Sequence, residues 1–428
     1  MRKIVTLLLL VLLTVSCTPQ PEQEQVTLTI NYPLPKLFYD KYGIAFENQY
    51  PHIQLEVVPP STESTTSQRP ETDIVFIPSL EQYHTFIDLG LLHNLTERIT
   101  NEEQLQDIVP VVLEGLRNSS DGSIYGLVPR FYNRTLYYNR DLFAQYNIDP
   151  PVDYMSWDQV LHTASQFSMQ EQEVYGLVSP YYRNIGFLLA ADIGETNGLS
   201  YINPDTMQVN IHTSDWLQIW ETVVTAIQNK SVYYYPDESM EELQFQESLL
   251  VEEKAAMEIS SYDLAYVLQD YNENHEDTPI NWGVVTLPSH PELLATDQYK
   301  IQDIFSIHHE TAHLEEAWTF LQFIHSREQA VKNARNPHFT SDGLSIHADT
   351  NLPVDENSLE PFYLLSYLPP NRAFHYTPYS AWEAFVQVGS EQFVSVLQGE
   401  QTVEEALENV QFIGQLAIEE ALEETLAN

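Results

Sequence analysis

The chain has 428 residues, too long for one simple hydrophobic core, and the usual domain size points to two or three folding units. Its composition is 43% hydrophobic and 12% aromatic, enough to fill real cores, so disorder is a poor description despite the charge. A net charge of −44 excludes nucleic acid as a partner and repels anionic lipid headgroups.

Residues 1–16 read as an export signal: Arg2 and Lys3 form the positive head, Ile4 to Leu13 the apolar run, too short for a permanent membrane span. The only cysteine, Cys17, stands where that signal stops. It has no intramolecular disulfide partner and is placed like the lipid-modified first residue of a bacterial lipoprotein, although Thr14 departs from the usual residue three positions earlier. A chance cysteine beside an ordinary cleavage site is the alternative. Residues 17–25, rich in Pro, Gln and Glu, then read as a linker.

Val26 to Ile30 alternates and is β-branched, which predicts a strand ending at Asn31-Tyr32-Pro33. Leu37, Phe38, Tyr42, Ala45 and Phe46 fall on helical spacing, and Ile53 to Val58 returns as a strand. After a polar loop over 61–70, Asp73 to Ile77 is a short apolar run of the kind buried in parallel sheets. Asp121-Gly122 announces a turn, and residues 123–141 form a long extended run whose aromatics and Pro129 argue against helix. A segment of that kind can cross between lobes.

Further on, Ser156 and Gln159 have the spacing of a capping box, with Val160, Leu161, Ala164 and Phe167 as the buried stripe of the helix they start. Helices are predicted from Trp216 to Gln228 and around Glu241 to Glu253, a strand at Ile304 to Ile307, and a helix with Leu314, Ala317, Trp318 and Leu321 on one face. A last helix starts at Thr402, whose partner Glu405 completes a second capping box.

His309-Glu310-Thr311-Ala312-His313 spells a zinc-peptidase pattern, which works only when both histidines project from one helical face. It lies between a predicted strand and the start of a helix, so a turn is expected, with no metal. A lipoprotein zinc peptidase rests on that spelling alone. No nucleophile elbow, phosphate-binding glycine loop or Cys/His cluster is present, so nothing positive supports an enzyme or a cofactor.

Several stretches, taken in order, resemble family 1 extracellular solute-binding proteins, the maltose-binding-like receptors of ABC importers. Tyr125-Gly126-Leu127 with Pro129, followed by Leu136, Tyr138, Asn139, Arg140 and Asp141, resembles the family's first crossover. Asp73-Ile74-Val75-Phe76, Gly90-Leu91-Leu92 with Leu95-Thr96, Pro150-Pro151 before Ser156-Trp157, and Lys254 to Tyr262 resemble further family stretches in order, Gly283 to Pro288 the second crossover, and Gly399 to Leu407 the carboxy-terminal stretch. The resemblance covers nearly all of residues 26–425. It implies a two-lobed periplasmic-binding-protein-like α/β fold with a hinge of three crossover segments. The lobes would be 26–130 plus 284–312 and 131–283 plus 313–428.

The same resemblance implies a non-enzymatic, monomeric lipoprotein on the extracytoplasmic face of the bacterial membrane, held by its lipid anchor only. It would close on an oligosaccharide or related solute and pass it to permease subunits. A non-sugar solute, or a non-transporting sensor or adhesion protein, stays open. Phe131, Tyr132, Tyr181, Tyr182 and Tyr262 match aromatic cleft positions, with Asp263 an alternative at the last. Tyr32, Ser79, Tyr376 and Trp382 are added from predicted strand ends and a loop-rich segment. Arg130 and Arg134 share a face of the extended chain, where they either pair with surplus carboxylates or, through Arg130, read an anionic group.

Overall fold

The computed structural model describes residues 24–60, 72–168, 174–179, 185–203, 206–234, 248–335, 343–351, 353–369 and 379–427. The expected signal, Cys17, most of the linker, Tyr181, Tyr182, Tyr376 and most of the acidic helix near 241–253 lie outside them. The strands in chain order are β1 (Val26–Asn31), β2 (Ile53–Val58), β3 (Ile74–Ile77), β4 (Gly126–Leu127), β5 (Arg130–Phe131), β6 (Arg134–Asn139) and β7 (Tyr175–Val178). They continue with β8 (Ala255–Ser261), β9 (Trp282–Val285), β10 (Ala295–Thr296), β11 (Ile304–Ile307), β12 (Leu344–Ser345) and β13 (Ser366–Tyr367).

Two sheets organise the molecule. The first has the order β2-β1-β3-β11-β4, parallel through β1, β2 and β3, with β11 antiparallel to both β3 and β4. All four residues of β3 and of β11 are buried, because helices cover both faces of these central strands. The second sheet has the order β7-β8-β6-β9, with β6 antiparallel to both neighbours. This is the mixed α/β, two-lobed arrangement, each lobe built on its own sheet.

The local rules read from the sequence operate as written. The Ser156 hydroxyl accepts from the Gln159 N–H at 3.3 Å while the Gln159 side chain accepts from the Ser156 N–H at 2.9 Å. Thr402 and Glu405 do the same at 3.2 and 2.8 Å. One helical face differs. Phe38, Tyr42 and Phe46 are buried, but Leu37 is 40% exposed and Ala45 only half-buried. The cause is a π-helical turn over Tyr39–Gly43, which widens the helix and leaves an i, i+4, i+8 stripe.

A second difference concerns the lobes. The helix Leu314–Ile324 packs on the first sheet, with Phe320 5.7 Å from Phe38 and 5.1 Å from Phe46, ring centre to centre. The sequence placed it with the second lobe, but its Ala317, Trp318, Phe320 and Leu321 complete the first core. The chain joins the second lobe only later, where helices Tyr379–Leu397 and Val403–Ala427 pack against Ile185–Thr196 and Ser214–Gln228.

The chain therefore passes between the sheets three times: after β4, after β9, and after the helix Arg327–Ala334. The third passage is anchored on both sides. Ile346 accepts from the Val109 N–H at 2.9 Å, His347 Nδ1 stands 2.9 Å from the Asp107 carboxylate, and Arg327 binds Asp349, all on the first-lobe side. A few residues on, Asp355 accepts from Asn272 at 2.8 Å and from the Trp282 indole at 3.2 Å, and Asn357 accepts from Arg140 at 2.9 Å, all on the second-lobe side.

Candidate ligand-binding cleft

The first crossing, Val128 to Asn133, is bonded to both others. β5 pairs antiparallel with β12, Leu344 opposite Phe131 and Ser345 opposite Arg130. Tyr132 donates to the Lys300 carbonyl at 3.0 Å and accepts from the Lys300 N–H at 2.8 Å. In an extended chain alternate side chains face opposite ways. Phe131 and Asn133 point into the core: Phe131 is fully buried against Tyr299 and Tyr363, and the Asn133 amide donates to the Phe362 carbonyl at 2.8 Å. Arg130, Tyr132 and Arg134 take the other face and are half-buried. Phe131 is thus closed off from any cleft, and the resemblance that proposed it is corrected by the pleat.

Arg130 and Tyr132 line a cavity with Tyr32, Lys41, Tyr42 and Asp303. Its water-accessible volume of about 20 Å³ holds roughly one water, so a larger solute enters only if the lobes part. Two depressions of about 620 and 680 Å³ lie on the outside of the first lobe around Tyr50. They are shallow and no crossing strand reaches them, so the small cavity at the crossings is the candidate. Tyr32 forms its back wall, 9% exposed, its ring stacked on Phe305 at 6.2 Å and edge-on to Phe76 at 4.7 Å.

Arg134 stands at the second-lobe end of the same face. It reaches Asp192 at 3.4 Å and binds Gln298. Asp192 and Glu195 come from the helix Ile185–Thr196, Asp297 and Gln298 from the second crossing. Burial pushes the Asp192 carboxyl up to about 7, with Arg134 pulling against it and Asp297 adding to the rise. Burial also raises Asp297, and raises Glu195 well above the carboxylate range. The Asp192 and Arg134 side chains nevertheless keep 17% exposure each. Tyr201 is raised by burial and by Glu195, with the Trp382 indole holding it down, which brings Trp382 to this group.

The remaining expected residues are dispersed. Tyr262 is 1% exposed; its ring lies 6.5 Å from Tyr132 and its hydroxyl accepts from the Gly343 N–H at 2.6 Å. Gly343 has φ +109°, and a Cβ there would sit 2.9 Å from the Phe131 carbonyl, so only glycine lets the third crossing approach the first so closely. Asp263 is exposed and accepts from the Ser261 hydroxyl at 3.1 Å. The Ser79 hydroxyl accepts from the Gln82 N–H at 3.2 Å as the cap of the helix Leu80–Asp88, a structural duty.

Lys41, Asp303, Asp192, Glu195, Asp297 and Gln298 were not anticipated as site residues. Lys41 could have been flagged as one of only 18 basic residues; the others carry no signal in a chain with 62 carboxylates. The His309 to His313 spelling lies in the expected turn, since the next helix begins at Leu314. The Glu310 N–H donates to His308, and Thr311 to Asp73. Among the described residues no group of three or more His, Cys, Asp or Glu could hold a metal ion, and no helix is long and apolar enough to cross a membrane.

Comparison with known proteins agrees with this architecture. A binding protein of Brucella abortus (strain 2308) is 23% identical over 291 residues, 65% of this chain and 64% of that relative's length. Among solved structures, a sugar transporter of Rhizobium etli in an open conformation has a TM-score of 0.65 at 17% identity, covering 91% of this chain and 98% of that one. UspC of M. tuberculosis gives 0.65 at 15% identity, over 91% and 100%. The ABC substrate-binding protein Lmo0181 of Listeria monocytogenes, solved with cycloalternan, gives 0.53 at 18% identity, over 91% and 98%. At these identities the likeness is one of fold. Residues 26–331, well over half of the chain, match the model of one family, and the protein belongs to it: the bacterial extracellular solute-binding proteins, receptors rather than enzymes.

Proposed function

We propose that this protein captures an oligosaccharide between its lobes outside the cell and delivers it to the permease subunits of an ABC importer, held to the membrane by a lipid on Cys17. One observation carries the reading: three chain passages converge at Arg130 to Tyr132, beside a cavity too small for a sugar unless the lobes part. That is what a receptor needs if ligand shifts it from open to closed. Structural relatives named as a sugar transporter or solved with cycloalternan support the solute class. We take the lobes to be residues 26–130 with 304–335, and 134–285 with 354–427.

Thermal-shift screening against a panel of oligosaccharides, followed by calorimetry on the hits, tests this. A stoichiometric ligand that raises Tm is expected; a panel of sugars without effect beside a peptide or polyamine that shifts Tm would replace the solute class. Cys17→Ala should release the protein into the medium, and its retention at the membrane would remove the lipid anchor from the reading.

A further inference from the structure

Three of the described arginines are held by carboxylates: Arg98 binds Glu315 at 3.1 Å, Arg327 binds Asp107 at 3.1 Å together with Asp349, and Arg134 faces Asp192. Arg130 is not, and it lines the cavity at the crossings. Its Nη1 donates to the Gly343 carbonyl at 2.7 Å, and among the described residues no carboxylate lies within ion-pair distance of it. A guanidinium offers five donors in a planar fork. The bond to Gly343 fixes the group at the cavity and uses one of them.

The charge of the cavity points the same way. Acidic residues outnumber basic ones 62 to 18 in the chain, yet this cavity is lined by two cations, Lys41 and Arg130, against the single carboxylate of Asp303. Long-range repulsion by the acidic surface does not cancel that excess, because charges are screened over about 8 Å at physiological ionic strength while the cavity groups act in contact. At the other end of the same strand face, four residues or roughly 13 Å away, the lining changes to the carboxyl groups of Asp192, Glu195 and Asp297 around Arg134. Raised by burial, these groups can exchange hydrogen bonds with sugar hydroxyls.

We infer that the ligand is acidic, a uronic-type oligosaccharide whose carboxylate is received by Arg130 beside Lys41 while its hydroxyl-rich remainder runs past Tyr132 towards Arg134 and Asp192. The inference rests on the sugar-receptor reading above. The rings of Tyr132 and Tyr32 offer the apolar surface that a sugar's C–H face requires.

Calorimetry on the mature chain with tri-galacturonate, and with the neutral galactose trimer as its counterpart, tests the assignment. Tri-galacturonate is expected to bind at least tenfold more tightly, and Arg130→Gln or Lys41→Gln should each weaken it roughly tenfold to a hundredfold, a loss at least fivefold larger than the one the same variant causes for the neutral trimer. Arg130→Gln also loses the bond to Gly343, so Arg130→Lys and the Lys41 variant keep the test independent of hinge damage, with Tm measured for each. Equal affinity for the two trimers, or equal losses for both in the variants, overturns the acidic assignment and leaves the receptor reading intact. Failure of both trimers and of every other oligosaccharide to bind overturns the two together.

Discussion

Arg130 and Arg134 sit on one face of one extended segment, yet they belong to opposite regions. Arg130 is held by a backbone carbonyl in a cavity where cations outnumber the carboxylate; Arg134 is held by Asp192 and Gln298 where carboxylates prevail. Which elements pack over the strand decides this. The helix carrying Lys41 comes from the first lobe, while the helix Ile185–Thr196 and the second crossing bring Asp192, Glu195 and Asp297. One strand can thus present a donor-rich end and an acceptor-rich end.

Breaking the acceptor-rich end has the largest expected effect. Arg134→Ala leaves Asp192 without its cation and should lower stability by roughly 2 to 3 kcal/mol in urea titration at pH 8, where Asp192 is ionised, somewhat below the cost of breaking a fully buried pair because both groups keep some exposure. An unchanged midpoint would show that Gln298 alone sustains the site. Gly343→Ala comes next, at roughly 2 kcal/mol, because it forces a side chain into a positive-φ position against the Phe131 carbonyl. Arg130→Ala should cost only about 1 kcal/mol, one hydrogen bond to a carbonyl. If it costs as much as Arg134→Ala, the contrast between the two ends fails.

The pH dependence sharpens the contrast further. Asp192 holds its proton up to about pH 7 in the folded chain but only to about 3.9 when unfolded. Its contribution is therefore complete below pH 4 and lost as pH rises through 7. Glu258, raised by burial to about 7 within β8, acts in the same direction. His325 opposes them: burial lowers it to about 4, so its contribution is present above pH 6.5 and lost as pH falls through 4. Asp192→Asn should match the parent near pH 4, gain on it up to about pH 7 and hold that margin at pH 8 in chemical denaturation. Parallel pH curves would mean that Asp192 is ionised throughout.

Sequence reading reached the strands because β-branched alternation has one face to satisfy, and the helix starts because a capping box is local chemistry. It also reached the first crossing, where turn residues meet a long extended run. It did not reach the side of that run facing the cavity, although alternation would have separated Phe131 from Tyr132. The exposure of Leu37 follows from a π turn that spacing alone does not reveal. The placement of Leu314–Ile324 depends on cores assembled from segments far apart in the chain. The acceptor-rich group joins Asp192 to Asp297, about a hundred positions apart, and nothing near either residue announces the other.

The bond from the Trp282 indole to Asp355 ties a buried ring of the second sheet to the third passage just beyond its first-lobe anchors. Any rotation of one lobe against the other pulls on the segment between those anchors and Asp355, and so on the polar partner of this indole. The protein therefore carries its own optical gauge of opening: a ligand titration read by tryptophan emission, repeated with Trp282→Phe, would follow closure without an attached dye.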